Sequence, residues 1–181
     1  MIVATQKRKE NIVEYLIYMW QVEDLIRANK LDMDLIRKNI LPQYKVVGED
    51  YSKIEAWWDN LVEMMRVEGV EERGHLQFNI NTLNEINYLH NLLLKEPNEV
   101  AYRHVFNATI PFIKEFDEKS GKTLCNDIEV CVTAIYSTFI LKLKKQEISE
   151  STTDALKVFG RFLALLAAKY NEDAEGLRIV D

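Results

Sequence analysis

Glycine and proline are scarce, with 6 Gly and 3 Pro in 181 residues. So few breakers leave room for long helices and predict a core assembled without β-sheet. No Gly-rich phosphate loop and no Gly-x-Ser-x-Gly elbow is present. Cysteine is rarer still, with only Cys125 and Cys131. Six positions apart on one helix, their Cα atoms lie roughly 9 Å apart along the axis, too far for a disulfide. Reduced core thiols are expected. Long apolar runs are also missing. The longest, Val130 to Leu141, contains Thr133, Ser137 and Thr138 and falls short of a membrane span. Basic charge is in deficit, with a net charge of -6, which argues against a nucleic-acid binder and against adhesion to anionic lipid. No nucleic-acid partner and no membrane partner are expected.

The chain does contain apolar residues at three- and four-residue steps through six or more segments. Apolar residues make up 48% and charged residues 29%, which suits a folded globule. The fold class expected is all-α, a single-domain helical bundle of six to seven helices spanning residues 1–181, with 171–181 as a polar tail. The first helix, Thr5 to Asn29, carries Ile12, Tyr15, Leu16, Met19, Trp20, Val22 and Ile26 and is expected to be central. A short helix from near Asp32 to Leu41 is stopped by Pro42, and residues 42–49 read as a loop. Asp50 or Ser52 caps a third helix that ends at Gly69. The fourth runs from near Glu72 to Lys95. The fifth is capped by Asn98 and is interrupted at Pro111 by a kink or a break, with Gly121 closing it. The sixth follows Thr123, and the seventh begins at Ser151 with Leu156, Phe159, Leu163, Leu166 and Tyr170 in its stripe. Trp20, Trp58, Phe106, Ile135 and Leu163 are expected in the core.

Polar groups on apolar arcs single out one candidate cluster. On a wheel of about 100° per residue, Glu23 falls between Ile12, Met19 and Trp20. A buried carboxylate costs several kcal/mol unless it is paired, and Arg27, one turn later, is the expected donor. His90 falls between Leu83, Ile86 and Leu93, with Asn79 and Asn87 close to the same arc. Glu23, Arg27, Asn79, Asn87 and His90 are therefore the candidate binding residues, set against the plainer reading of structural hydrogen bonds. His104 is expected in solvent.

No catalytic set and no metal site is assigned. Paired Glu-x-x-His motifs would mark a two-metal bundle, but only Glu72-Arg73-Gly74-His75 has the spacing. His75, His90 and His104 contain no i, i+4 pair. No cofactor is implied. Lys7-Arg8-Lys9 and Lys142, Lys144, Lys145 lack the aromatic interleaving of a single-strand binder.

The segment Lys7-Arg8-Lys9-Glu10-Asn11-Ile12-Val13-Glu14-Tyr15, continuing through Tyr18-Met19-Trp20-Gln21-Val22-Glu23-Asp24-Leu25-Ile26-Arg27-Ala28, resembles the start of a bacterial family described as a domain of unknown function. The resemblance implies an all-helical, cytoplasmic bacterial protein of about this length. It implies no reaction, cofactor or catalytic residue.

Two functional expectations follow. The first is a non-enzymatic helical bundle acting through protein contacts, as a homodimer or with another protein, through the sixth and seventh helices. These two helices carry more apolar surface than one face can hide. Gly160, Ala164 and Ala168 recur every four residues there, a spacing expected to serve tight packing inside the bundle, with dimerisation as the alternative. The second is a small-ligand binder or enzyme with a polar cleft near Glu23 and His90, with a metal-dependent form as its weaker variant.

Overall fold

The computed structural model describes residues 2–120 and 126–174. Among these residues there are eight α-helices, one short 3-10 helix and no strand. The helices are α1 (Ile2–Glu10), α2 (Ile12–Ala28), α3 (Met33–Asn39), α4 (Glu49–Val67), α5 (Gln77–Lys95), α6 (Val100–Ser120), α7 (Asp127–Leu143) and α8 (Glu150–Ala174), with the 3-10 turn at Leu41–Tyr44. The all-α expectation holds, but the count is eight helices rather than six to seven. The predicted first helix is two helices. At the junction, the Asn11 side-chain oxygen accepts the Val13 N–H at 3.0 Å. That bond satisfies one of the donors that every new helix start leaves open, so α2 begins there instead of continuing α1.

Two further boundaries differ from expectation. α4 ends in a Schellman arrangement, with Gly69 N–H on Arg66 O and Val70 N–H on Met65 O. Gly69 has φ +67°, a conformation that suits glycine. The chain then stays irregular to Leu76, so α5 starts at Gln77 and not near Glu72. Pro111 does not break the helix, because α6 runs across it from Val100 to Ser120. Pro111 lies on the exposed side, as does Asn107, whose carbonyl the proline deprives of a donor. Water can reach that carbonyl, so the helix continues. Cys125 and Gly121 lie outside the described residues.

By contact the chain divides into two compact units. One comprises the chain up to Arg8 together with Glu14–Asn81, and the other Lys9–Val13 together with Thr82 onward. In the first unit the apolar side of α2 buries Leu16, Met19, Trp20, Val22 and Ile26. α3 contributes Ile36, and α4 contributes Trp58, Leu61, Val62 and Met65. Each of these large side chains adds about 1.5–3 kcal/mol by leaving water. In the second unit α6, α7 and α8 pack on one another. Glu99, just before α6, pairs with Lys169 late in α8 at 2.9 Å, which fits an antiparallel course for the two helices. Tyr102, Phe106, Ile128, Cys131, Phe159, Phe162 and Leu163 are buried. Ile135, expected in the core, is only half-buried.

Candidate functional site

Glu23 is the most constrained polar side chain of the first unit. It projects from α2 and is 0% exposed. Three donors meet its carboxylate. Oε1 accepts the Leu76 backbone N–H at 2.9 Å and the Asn79 side-chain amide at 2.6 Å. Oε2 faces Nδ1 of His75 at 2.6 Å. Leu76 immediately precedes α5, so the carboxylate also faces the positive end of that helix. A buried acid that would be costly alone is thereby compensated on every side.

The donor expected for it goes elsewhere. Arg27 spans the irregular segment between α4 and α5, donating to Val70 O at 3.0 Å and to Gly74 O at 2.6 Å. Its remaining nitrogen pairs with Asp24 at 2.9 Å. Arg27 thus clips both ends of the 70–74 loop, which delivers His75 and Leu76 to Glu23. Glu68 closes the same corner by accepting the Gln77 N–H at 2.6 Å.

His75 was legible only as half of a Glu-x-x-His spacing, yet it is the one member of the cluster that reaches water. Its side chain is 33% exposed. The ring lies flat on the Trp20 indole, with centroids 4.2 Å apart and planes 14° apart. A carboxylate only accepts, so Nδ1 carries the proton toward Glu23, and in the neutral ring the lone pair is then on Nε2. Among the described residues no group bonds Nε2, and the side chain is partly open to solvent. Asn79 is fully buried, and its Oδ1 has no partner among the described residues.

His90 and Asn87 belong to the second unit and find their surroundings there. His90 is 2% exposed, with Nδ1 at 2.7 Å from the Tyr102 hydroxyl. Phe106 and Phe162 meet its ring edge-on, at 4.6 and 5.6 Å between centroids. Burial pushes its pKa from 6.5 down to about 4, so the ring is neutral at neutral pH. Burial likewise raises Tyr102, which keeps its proton. Asn87 is half-buried, and its carbonyl accepts from Asn91. The structure therefore joins Glu23 to Asn79 and adds His75. It gives Arg27 a separate structural task and leaves His90 in an aromatic box of its own.

The remaining candidates are placed as follows. Lys7 pairs with Glu14, and Arg8 lies over the Tyr15 ring, 5.2 Å from its centroid. Cys131 is buried, which raises its thiol pKa. Among the described residues no group of three or more His, Cys, Asp or Glu side chains is placed to hold a metal ion, and no helix is long and apolar enough to cross a membrane.

The outer sides of α7 and α8 form a second feature. α7 buries Ile128, Val130, Cys131, Val132 and Ala134, yet Phe139, Leu141 and Leu143 at its far end are exposed. On α8 the small-residue stripe faces outward, not into the bundle as expected. No atom lies within 4 Å of a Cβ built on Gly160, and Ala164 and Ala168 are exposed. The reason is angular: at 100° per residue Ala164 and Ala168 lie opposite the buried Phe159, Phe162 and Leu166.

The chain belongs to the family described as Domain of unknown function (DUF4924), whose model matches residues 1–176. No curated protein and no solved structure matches it.

Proposed function

We propose that this family member is a non-enzymatic helical protein that works through protein contacts, and that its first partner is a second copy of itself, joined through α7 and α8. The observation that carries this reading is the far end of α7. Phe139 and Leu143, one turn apart on the same side, are exposed on a helix whose other end is already buried. Apolar surface of this kind is most often covered by a partner.

The outer face of α8 favours a second copy over an unrelated protein. Gly160, Ala164 and Ala168 run along its middle, flanked by pairs of opposite charge, Asp154 with Lys157 and Lys169 with Glu172. Two such helices set antiparallel about a two-fold axis bring their small-residue stripes together. The small residues let the backbones approach.

Light scattering on a size column tests this. The expected species has twice the 21.2 kDa mass of the chain. Ala164→Trp and Phe139→Lys are each expected to return it to a single chain mass. A 21.2 kDa species at tens of micromolar overturns the self-association.

A further inference from the structure

We infer that His75 is a phosphoryl-acceptor site, with Nε2 as the attacking atom and Glu23 as the residue that holds the ring ready. The inference is independent of the α7–α8 contact. It rests on a combination that only one of the three histidines has. His90 is sealed among Tyr102, Phe106 and Phe162. His104 is exposed, and no side chain among the described residues orients it. His75 alone is both fixed and accessible. Its Nδ1 is 2.6 Å from a fully buried carboxylate, its plane is set by the Trp20 indole, and its side chain is 33% exposed with no partner on Nε2 among the described residues. A carboxylate on Nδ1 selects the tautomer that leaves the Nε2 lone pair free. It also stabilises the positive ring that forms when Nε2 bonds to an electrophile.

The surroundings choose the electrophile. Acyl transfer needs donors aimed at a developing oxyanion. The backbone donors that follow it in sequence, Leu76 N–H and Gln77 N–H, are already taken by Glu23 and Glu68. Phosphoryl transfer passes through a loose transition state that asks mainly for a positioned nucleophile. The donor class that fits is an acyl phosphate. The Nε2 lone pair forms the N–P bond, the P–O bond to the donor carboxyl group breaks, and the donor leaves as a carboxylate. The Nδ1 proton is not lost, because it stays shared with Glu23. Arg73, exposed two residues before His75, supplies a cation in the same segment, while Glu71 and Glu72 favour a donor that brings its own bound divalent cation.

Phosphoramidate is the probe, because its P–N bond breaks with ammonia as leaving group and no enzyme is required. The full-length chain is treated with it, and phosphohistidine at each position is followed by mass spectrometry under alkaline conditions. His75 is expected to be modified about tenfold or more faster than His104 in the same molecule. Equal or slower modification of His75 overturns the inference. Adding urea to the same reaction is expected to bring the two rates together, and a ratio that survives unfolding also overturns it. Glu23→Gln is expected to lower the His75 rate to that of His104, and an unchanged rate counts against the role of Glu23. Should Glu23→Gln fail to fold, the ratio within the unmodified sequence still decides. Diethyl pyrocarbonate separates the chemistry: preferential carbethoxylation of His75 without preferential phosphorylation shows a general nucleophile and overturns the phosphoryl assignment.

Discussion

Among the described residues each unit buries one carboxylate or imidazole, Glu23 in the first and His90 in the second, and the two are handled in opposite ways. Glu23 in the first unit is surrounded by donors: a backbone N–H, an amide and an imidazole converge on its two oxygens. His90 in the second unit is surrounded by rings and has one polar partner, Tyr102. An acid can be buried when enough N–H groups point at it, and the segment that supplies them becomes tied to it. A base can be buried by being kept neutral, at the cost of losing contact with solvent protons. Only the first solution leaves an atom on a partly exposed ring, Nε2 of His75, able to react. The difference teaches that burial alone is a poor marker of function and that the route from the buried group to water matters more.

The comparison is broken most severely by removing the acid. Glu23→Leu leaves the Leu76 N–H, the Asn79 amide and the His75 Nδ1–H without their acceptor. Urea unfolding is expected to show a loss of about 3–5 kcal/mol. A loss below about 1 kcal/mol would mean that the α4–α5 segment does not depend on the carboxylate, and the contrast between the units would vanish.

The base is tested by pH. The folded pKa of His90, about 4, lies below its ordinary 6.5, so between these values the unfolded chain binds more protons than the folded one. The contribution is therefore intact above about pH 6.5 and lost as pH falls toward 4. From about pH 7.5 to about pH 4.5 the chain is expected to lose about 2.5 kcal/mol relative to His90→Phe, whose ring has no proton to gain. Taking the difference between the two proteins cancels the carboxylates common to both. A pH-independent difference would show that water reaches His90.

The helical architecture was legible because period 3.6 is a local signal, and both anomalous groups, Glu23 and His90, stood out on it. Of their partners only Asn79 did. Leu76 and His75 lie 53 and 52 positions from Glu23, on a segment without helical period. Placing the helix start near Glu72 put His75 inside a helix, where it could not be read as part of a loop folding back on α2. Arg27, one turn from Glu23, was the natural guess by spacing. A guanidinium, however, can satisfy two carbonyls that would otherwise be open, and the loop supplied them. Asn11 was hidden for a related reason, since a capping side chain inside a long apolar pattern looks like any polar position. The outward direction of Gly160, Ala164 and Ala168 needed only the wheel already applied to Glu23.

That stripe offers a smaller test, confined to the second unit. Nothing blocks a methyl group at Gly160, and glycine inside a helix is costlier than alanine, so Gly160→Ala is expected to stabilise the isolated chain by about 0.5–1 kcal/mol. If α8 meets a second α8, the same methyl occupies the approach and the dimer is expected to weaken. Thermal unfolding and light scattering on one variant should therefore move in opposite directions. A gain in both would place Gly160 away from the contact.

The smallest expected effect serves as a control, because it should be equal in both units. α2 and α7 each end in the hydrogen-bond pattern that closes α4, but with lysine where α4 has Gly69. Lys30 has φ +58°, with its N–H on Arg27 O and Leu31 N–H on Ile26 O. Lys145 has φ +56°, with its N–H on Lys142 O and Gln146 N–H on Leu141 O. A side chain in this left-handed region costs about 1–2 kcal/mol, while glycine adds unfolded-state freedom worth about 0.4–1 kcal/mol. Lys30→Gly and Lys145→Gly are each expected to gain about 0.5 kcal/mol net, read as a shift in urea midpoint at constant slope. Both sites are exposed and their strain is local, so the gains should match. A gain confined to one would mean that the two units do not unfold together, and the Glu23 and His90 measurements would then have to be read as separate stabilities, each belonging to its own unit.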